Sequence, residues 1–279
     1  LVFRSVISTY IVYVLMFNAL YYIIHKIFKN KYLDKSFYLT FIIPIVIVII
    51  GNINVNNIVI TRYNLSNKDI SKDIRLAYVS DVHLSTLDKK KLDNLVKIVN
   101  DNNYDIFVID GDLVDEFSTD RKIKDVIEEL GSIKTKYGNY YVEGNHDLLT
   151  NKIRSYLTEN NFIVLEDSKV LIDDNYYLVG RRDKKDKLRT NLNSLTYNLD
   201  KPVILMDHQP NIENNMDPRV IVQLSGHTHA GQIWPLGYFL KYGYYPDKRL
   251  IVSSGVGVWH NKVRTSKHCE IVEINIKKF

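Results

Sequence analysis

Arg75-Leu76-Ala77-Tyr78-Val79-Ser80-Asp81-Val82-His83 is a short apolar run that ends abruptly in two side chains able to bind a metal. Its apolar residues are consecutive rather than alternating, so it reads as a strand buried on both faces. The same event recurs downstream. Ile106–Ile109 runs into Asp110-Gly111-Asp112-Leu113-Val114-Asp115, and Tyr140–Val142 into Glu143-Gly144-Asn145-His146-Asp147. Val203–Met206 is followed by Asp207-His208, and Ile221–Leu224 by Ser225-Gly226-His227-Thr228-His229. In open α/β sheets, ligands bind beyond the carboxyl ends of the strands. Five such ends carrying Asp, Asn or His predict one convergent site, and five of the eight histidines lie in them.

Between these ends, Leu92–Asn100 has helical spacing, and Ile123–Lys136 reads as a helix with Gly138 as its stop. Val55–Tyr63 alternates as a strand, and Asn139–Glu143 is another. Further strands are expected at 162–165, 170–172, 176–179, 202–206, 220–224, 250–253 and 270–276. Helices alternate with strands early and strands dominate late, which predicts an α/β sandwich with mixed sheets. The predicted organisation is a membrane anchor over 1–53, a linker and first strand over 54–73, and a catalytic domain over 74–279.

The anchor rests on residues 5–24, which are 20 consecutive uncharged residues. That is about the length needed to cross a hydrocarbon core of ~30 Å. A second apolar run, Phe37 to Ile53, contains Pro44 and sits at the short end of spanning length. Two adjacent runs without a small-residue cleavage site argue against a signal peptide. The connector holds Lys26, Lys29, Lys31 and Lys35 against Asp34, so the positive-inside rule predicts a cytoplasmic connector. Residues 54–279 would then lie outside, giving a bacterial cell-membrane protein with an extracytoplasmic catalytic domain. The chain starts at Leu1, without an initiator methionine, and is read as a fragment or a processed product.

Cys269 is the only cysteine, which excludes an internal disulfide and any thiolate-rich zinc site. The net charge is +5, but no basic stripe interleaved with aromatics is visible, so no nucleic-acid partner is expected.

Asp81-x-His83, Gly111-Asp112, Gly144-Asn145-His146-Asp147, His208 and Gly226-His227-x-His229 together resemble the calcineurin-like metallophosphoesterase superfamily. The resemblance runs from about residue 74 to 275. It is strongest to a membrane-anchored bacterial, phosphodiesterase-like subgroup, through Gly180-Arg181-Arg182-Asp183, the His-Thr-His-x-Gly-Gln stretch at 227–232 and Val252–Gly257. Ala230 departs from it, because the subgroup usually has Gly there. The resemblance implies a four-layer α-β-β-α sandwich of two mixed sheets, preceded by transmembrane helices.

It also implies a dinuclear metal site. Asp81, His83 and His229 would hold one ion, Asn145, His208 and His227 the other, and Asp112 would bridge both. Oxygen and imidazole donors without thiolates suit Mn²⁺, Fe or Zn²⁺. Two such ions can share a hydroxide and clamp a phosphoryl group. His146 would protonate the leaving group, and Asp115, three residues beyond Asp112, would hydrogen-bond His146. Asp147 is expected to cap the next helix or orient His146. Arg181, Arg182 and Arg264 are candidates for holding a substrate phosphate. Trp234 and Trp259 are candidates for the pocket wall.

The activity implied is hydrolysis of a phosphodiester or phosphomonoester, with a lipid- or envelope-linked substrate suggested by the anchor. Protein phosphatases of this superfamily carry Gly-Asp-x-x-Asp-Arg-Gly and Gly-Asn-His-Glu, whereas this chain has Asp115-Glu116-Phe117 and Asp147. Its DNA-processing nucleases carry large extra domains for which this chain has no room. The alternative from another class is a membrane sensor or scaffold that binds metal without turnover.

Overall fold

The computed structural model describes residues 2–28, 35–147, 150–211 and 217–279. Two apolar helices come first, α1 (Val2–Phe28) and α2 (Leu39–Asn54). The span Val6–Phe28 of α1 is long and apolar enough to cross a membrane, and little of it is buried against the protein. The second apolar run also folds as a helix, but its 16 residues fall short of spanning length. Most of the connector lies outside the described residues.

Among the described residues, twelve strands follow in two six-stranded sheets. One has the order β1 (Ile58–Asn67), β12 (Cys269–Lys278), β2 (Ile74–Val79), β3 (Ile106–Asp110), β4 (Asn139–Val142), β5 (Phe162–Val164). The other has the order β10 (Gly243–Tyr245), β11 (Leu250–Val252), β9 (Val220–Ser225), β8 (Val203–Met206), β7 (Tyr176–Gly180), β6 (Ser168–Ile172). Both are mixed. β2 to β5 run parallel while β12 pairs antiparallel with β2. β7, β8, β9 and β11 run parallel while β6 and β10 are antiparallel edges.

The buried side chains sort into layers. Leu76, Tyr78, Val108 and Val142 face Leu178, Ile204, Met206 and Leu224 between the sheets. The other face of the first sheet is covered by α3 (Lys89–Asn102), α4 (Asp120–Leu130) and α5 (Asn151–Glu159). Leu92, Leu95 and Val99 on α3, and Ile123, Val126, Ile127 and Leu130 on α4, supply the i, i+3, i+4, i+7 stripes that make this possible. The outer face of the second sheet is closed by α6 (Leu192–Thr196) through Leu192 and Leu195. The result is a four-layer α-β-β-α sandwich.

Helix boundaries follow local chemistry. α3 starts at Asp88, whose carboxylate accepts from the Lys91 N–H at 2.9 Å, and ends at Asn103 in the left-handed region. α4 starts three residues earlier than helical spacing alone indicates, because Asp120 to Lys122 form its polar first turn behind the Thr119 cap. It also stops at Leu130, since Gly131 and Ser132 close its last turn and Ile133 turns into the core. β1 begins at Ile58 rather than Val55, because α2 continues to Asn54.

Candidate metal centre

The carboxyl ends of β2, β3 and β4 from one sheet and of β8 and β9 from the other meet at one edge of the sandwich. Their loops are laced by backbone hydrogen bonds. The Asp81 N–H donates to the Gly111 carbonyl, His83 to Asp112, and Gly226 to His208, all at 2.9–3.0 Å. Gly111, at φ +79°, has no room for a Cβ against the His208 ring, and Gly226 has none against Asp81. These two glycines let the strand ends approach closely enough for their side chains to converge.

Asp81, His83 and His229 offer donor atoms that converge on one point, and Asp112, His208 and His227 converge on a second. His83 Nε2 and His229 Nε2 face each other at 3.1 Å, with Asp81 Oδ1 3.3 Å from the latter. Asp112 Oδ2 lies between the groups, 3.1 Å from His208 Nε2 and 4.0 Å from His83 Nε2. Asn145 Oδ1 is buried and meets no hydrogen-bond donor of the protein. Lone pairs converging in this way, with a buried amide oxygen left unsatisfied beside them, are the pattern a pair of cations resolves.

The backbone carries strain in the same place. Asp81, His83, Asp112, His227 and His229 all have φ between 46° and 69°. Left-handed conformations of non-glycine residues cost about 1–3 kcal/mol each and persist where surrounding structure enforces them. Ala230 joins them at φ 48°, the conformation a glycine adopts without penalty.

Second contacts orient the donors. The His208 Nδ1–H donates to the Asp110 carbonyl at 2.7 Å, which turns Nε2 toward Asp112. Asp81 accepts from the Ser80 hydroxyl at 2.6 Å and from the His227 N–H at 3.0 and 3.1 Å. The Arg264 guanidinium is fully buried and donates to the carbonyls of His229 and Gly257 at 3.3 and 2.8 Å. The Gln232 amide donates to the carbonyls of Trp259, Asn261 and Val263, fastening the loop after His229 to the loop after β11.

Electrostatics prepare these groups for a cation. Burial pushes the imidazoles of His83, to about 4, and of His227 and His229 below their ordinary value, so all three are neutral and keep a lone pair. Burial lifts the Asp81 carboxyl to about 6. For Asp112, burial opposes ionisation, but the neighbouring His208 and His83 outweigh it and hold the carboxyl below the usual range. The converse holds for His208. Burial disfavours its charge, yet the carboxylates of Asp112, Asp81 and Asp110 raise it well above an ordinary imidazole.

Several expected contacts are replaced by others. His146 Nδ1 pairs with Glu116 Oε1 at 2.7 Å, not with Asp115. The Asp115 carboxylate accepts from the Phe117 N–H and the Ser118 hydroxyl of its own loop and from the Ser85 N–H of the loop after β2. Bonding its own backbone two residues on is ordinary Asx-turn behaviour. Asp147 caps no helix. Its buried carboxylate accepts from the N–H groups of Asp112 and Val114 at 2.7 Å and Gly144 at 2.8 Å, tying the loops after β3 and β4 together. Burial, with Asp112 beside it, lifts this carboxyl to about 7.

The three candidate arginines are engaged within the protein. Arg181 contacts Asp207 and the Thr190 carbonyl, Arg182 contacts Asp186, and Arg264 underlies His229. Trp259 lines the cavity beside His227 and His229, its ring 5.3 Å from that of His146. Trp234 stands outside the cavity wall. The sequence contains no signal for Glu116 beyond its place next to Asp115, and for Asp147 it suggests a helix cap or a partner of His146 rather than the backbone amides it bonds.

Residues 74–231 match the model of the calcineurin-like phosphoesterase family. An uncharacterized metallophosphoesterase of Helicobacter pylori is 30% identical over 74% of this chain and 60% of its own length. One from Campylobacter jejuni is 29% identical over 89% of this chain and 71% of its own. A zebrafish "transmembrane protein with metallophosphoesterase domain" is 30% identical over 74% of this chain and 53% of its own length. The chain thus spans little more than half the length of some relatives it matches. With the family model covering more than half of its residues, the chain belongs to the calcineurin-like phosphoesterases.

Proposed function

We propose that the chain is a membrane-anchored hydrolase that cleaves a phosphodiester or phosphomonoester at a pair of divalent metal ions. The observation that carries this is the position of Asp112 Oδ2 between two donor groups, Asp81/His83/His229 on one side and His208/His227 on the other. In this reading Asp81, His83 and His229 hold one ion, Asn145, His208 and His227 the other, and Asp112 both. Mn²⁺, Fe and Zn²⁺ all suit this donor set. Bound there, such ions would supply Lewis acidity to the phosphoryl oxygens and a nucleophile drawn from water near neutral pH.

The protein's own groups do the rest. His146 stands beside the first donor group, its ring 5.6 Å from that of His83, and is half-buried. It is assigned as the acid that hands a proton to the leaving oxygen. The Glu116 carboxylate accepts from its Nδ1–H, which orients the ring and leaves Nε2 for the transfer. Trp259 lines the cavity, with its ring 5.3 Å from that of His146. Asp115 is assigned only a positioning role, through the Ser85 and Phe117 amides beside His83.

The anchor is assigned to 1–53 and the catalytic domain to 74–279, joined by 54–73. The lysines of the connector support the reading in which it is cytoplasmic and the domain lies on the outer face of a bacterial cell membrane. A lipid- or envelope-linked phosphoester is the substrate class that suits such a location. The test is hydrolysis of bis(p-nitrophenyl) phosphate and p-nitrophenyl phosphate by the purified chain, with chelator and after adding back Mn²⁺. Turnover that disappears with chelator and returns with metal supports the proposal. Metal uptake without turnover of any phosphoester refutes it.

A further inference from the structure

The apolar helices α1 and α2, which pack together as a hairpin, share a piece of protein with a cavity that borders the metal centre. The cavity, about 440 Å³ in volume, has His227, His229 and Trp259 on one wall and Ile233, Leu236 and Leu240 on another. The segment carrying this second wall turns Trp234, Leu236, Tyr238, Phe239 and Leu240 to the outside, with Phe239 exposed by 82%. So many large apolar groups on one short exposed loop mark an interaction surface.

The same loop is fastened to the hairpin. The Tyr13 hydroxyl donates to the Trp234 carbonyl at 2.9 Å and shares a second hydrogen bond with the Thr265 hydroxyl, which also accepts from the Trp234 N–H at 2.9 Å. The neighbouring Arg264 N–H donates to the carbonyl of Gly51 in α2 at 2.9 Å, and Val263 packs on Tyr13 and Val48. Tyr13 lies inside the apolar span Val6–Phe28, not at its edge.

Helix geometry then sets a depth. At ~1.5 Å per residue, Tyr13 to Phe28 is ~22 Å and Leu39 to Gly51 is ~18 Å. Both fall short of a hydrocarbon core of ~30 Å. The missing ~8–12 Å lies on the side of the catalytic domain, at the level where Trp234 is bonded to α1. Trp and Tyr are enriched where the acyl region meets the headgroups, the zone directly above this level, with an apolar body in the former and a polar atom in the latter.

We propose that residues 233–240 enter the bilayer interface as a third membrane-contacting element and hold the mouth of the metal cavity against the lipid headgroups. The occupant of this surface is a phospholipid bilayer, continuous with the one around the hairpin. A second copy of the chain would bury the same side chains but would not bring them into contact with acyl chains.

Trp234 and Trp259 are the only tryptophans, and none lies in the hairpin. A Trp259→Phe variant of the whole chain therefore reports on Trp234 alone. It is placed in phosphatidylcholine nanodiscs with either ordinary or brominated acyl chains. The expected result is a blue-shifted Trp234 emission that loses most of its intensity in the brominated discs. Adding Tyr238→Asp and Phe239→Asp should shift the emission toward that of water and restore the intensity. The proposal is overturned by unquenched Trp234 emission, whether water-like or blue-shifted by protein packing or self-association, and equally by a chain that does not co-elute with the discs. This readout needs no turnover, so an inactive but quenched protein would refute the hydrolase reading and leave the membrane seat standing.

Discussion

Replacing Asp147 should separate the scaffold of the site from its chemistry. Its carboxylate accepts three backbone N–H bonds, two at 2.7 Å and one at 2.8 Å, from loops that carry Asp112 and Asn145. Hydrogen bonds to a charged acceptor are worth about 1.5–3 kcal/mol each. Burial works against the carboxylate, as its elevation to about 7 shows, so the net loss is smaller than three such bonds. Asp147→Ala leaves three buried donors without an acceptor and should cost about 3–5 kcal/mol. Asp147→Asn keeps one oxygen, which can serve the Asp112 and Gly144 amides at the Oδ2 position, and loses mainly the bond from Val114. It should cost about 1–3 kcal/mol. For a domain of this size each kcal/mol lowers the melting temperature by roughly 2–4 °C. The assay is thermal unfolding of parent and variants followed by near-ultraviolet circular dichroism, with metal content measured in parallel. An Ala variant that melts with the parent, or an Asn variant that melts below the Ala variant, would refute the reasoning.

Other predictions concern the chemistry. His146→Asn should lower turnover by about 10²–10⁴ and leave bound metal unchanged; parallel loss of metal and activity would remove His146 from the acid role. Glu116→Gln should alter the pH profile of turnover through the orientation of that ring, with little change in metal content. His208 is held protonated while the site lacks metal, because the surrounding carboxylates outweigh burial. A cation must therefore displace its proton, so affinity should fall as pH falls. Titration calorimetry in buffers of different ionisation heat should detect proton release, and buffer-independent heats would contradict it. Ala230→Gly should raise stability by about 1 kcal/mol, because Ala230 occupies a left-handed conformation that only glycine adopts freely; a destabilised variant would show that the Ala230 methyl matters more for packing.

The strand ends are legible in the sequence for a physical reason. Parallel strands buried on both faces must be apolar throughout, so the polar residues that close them stand out sharply, as Asp81 does after Val79 and His208 does after Met206. The order of those strands indicates a sandwich with mixed sheets, and the family resemblance its two-sheet, four-layer form. Side-chain partners are less legible, because they depend on how a loop turns. Asp115 and Glu116 are neighbours in the chain, and only the folded loop sends one toward its own backbone and the other to His146. In sequence Asp147 looks like a helix cap or a partner of His146, and Arg264 like a substrate-binding charge, yet both are buried and bond backbone groups. α5 buries only Ile153 and Leu157, too short an apolar stripe to announce a helix. The link between Tyr13 and the Trp234 loop spans 221 residues of chain and has no local signature at all.

The central claim is that two cations share Asp112 in a single cavity. Electron paramagnetic resonance of the purified chain, titrated with Mn²⁺ after chelation, tests it most directly. Saturation at two ions per chain with an exchange-coupled signal is expected, with loss of that coupling in Asp112→Asn. A folded chain that takes up no Mn²⁺, or that shows only isolated, uncoupled ions at saturation, would contradict it.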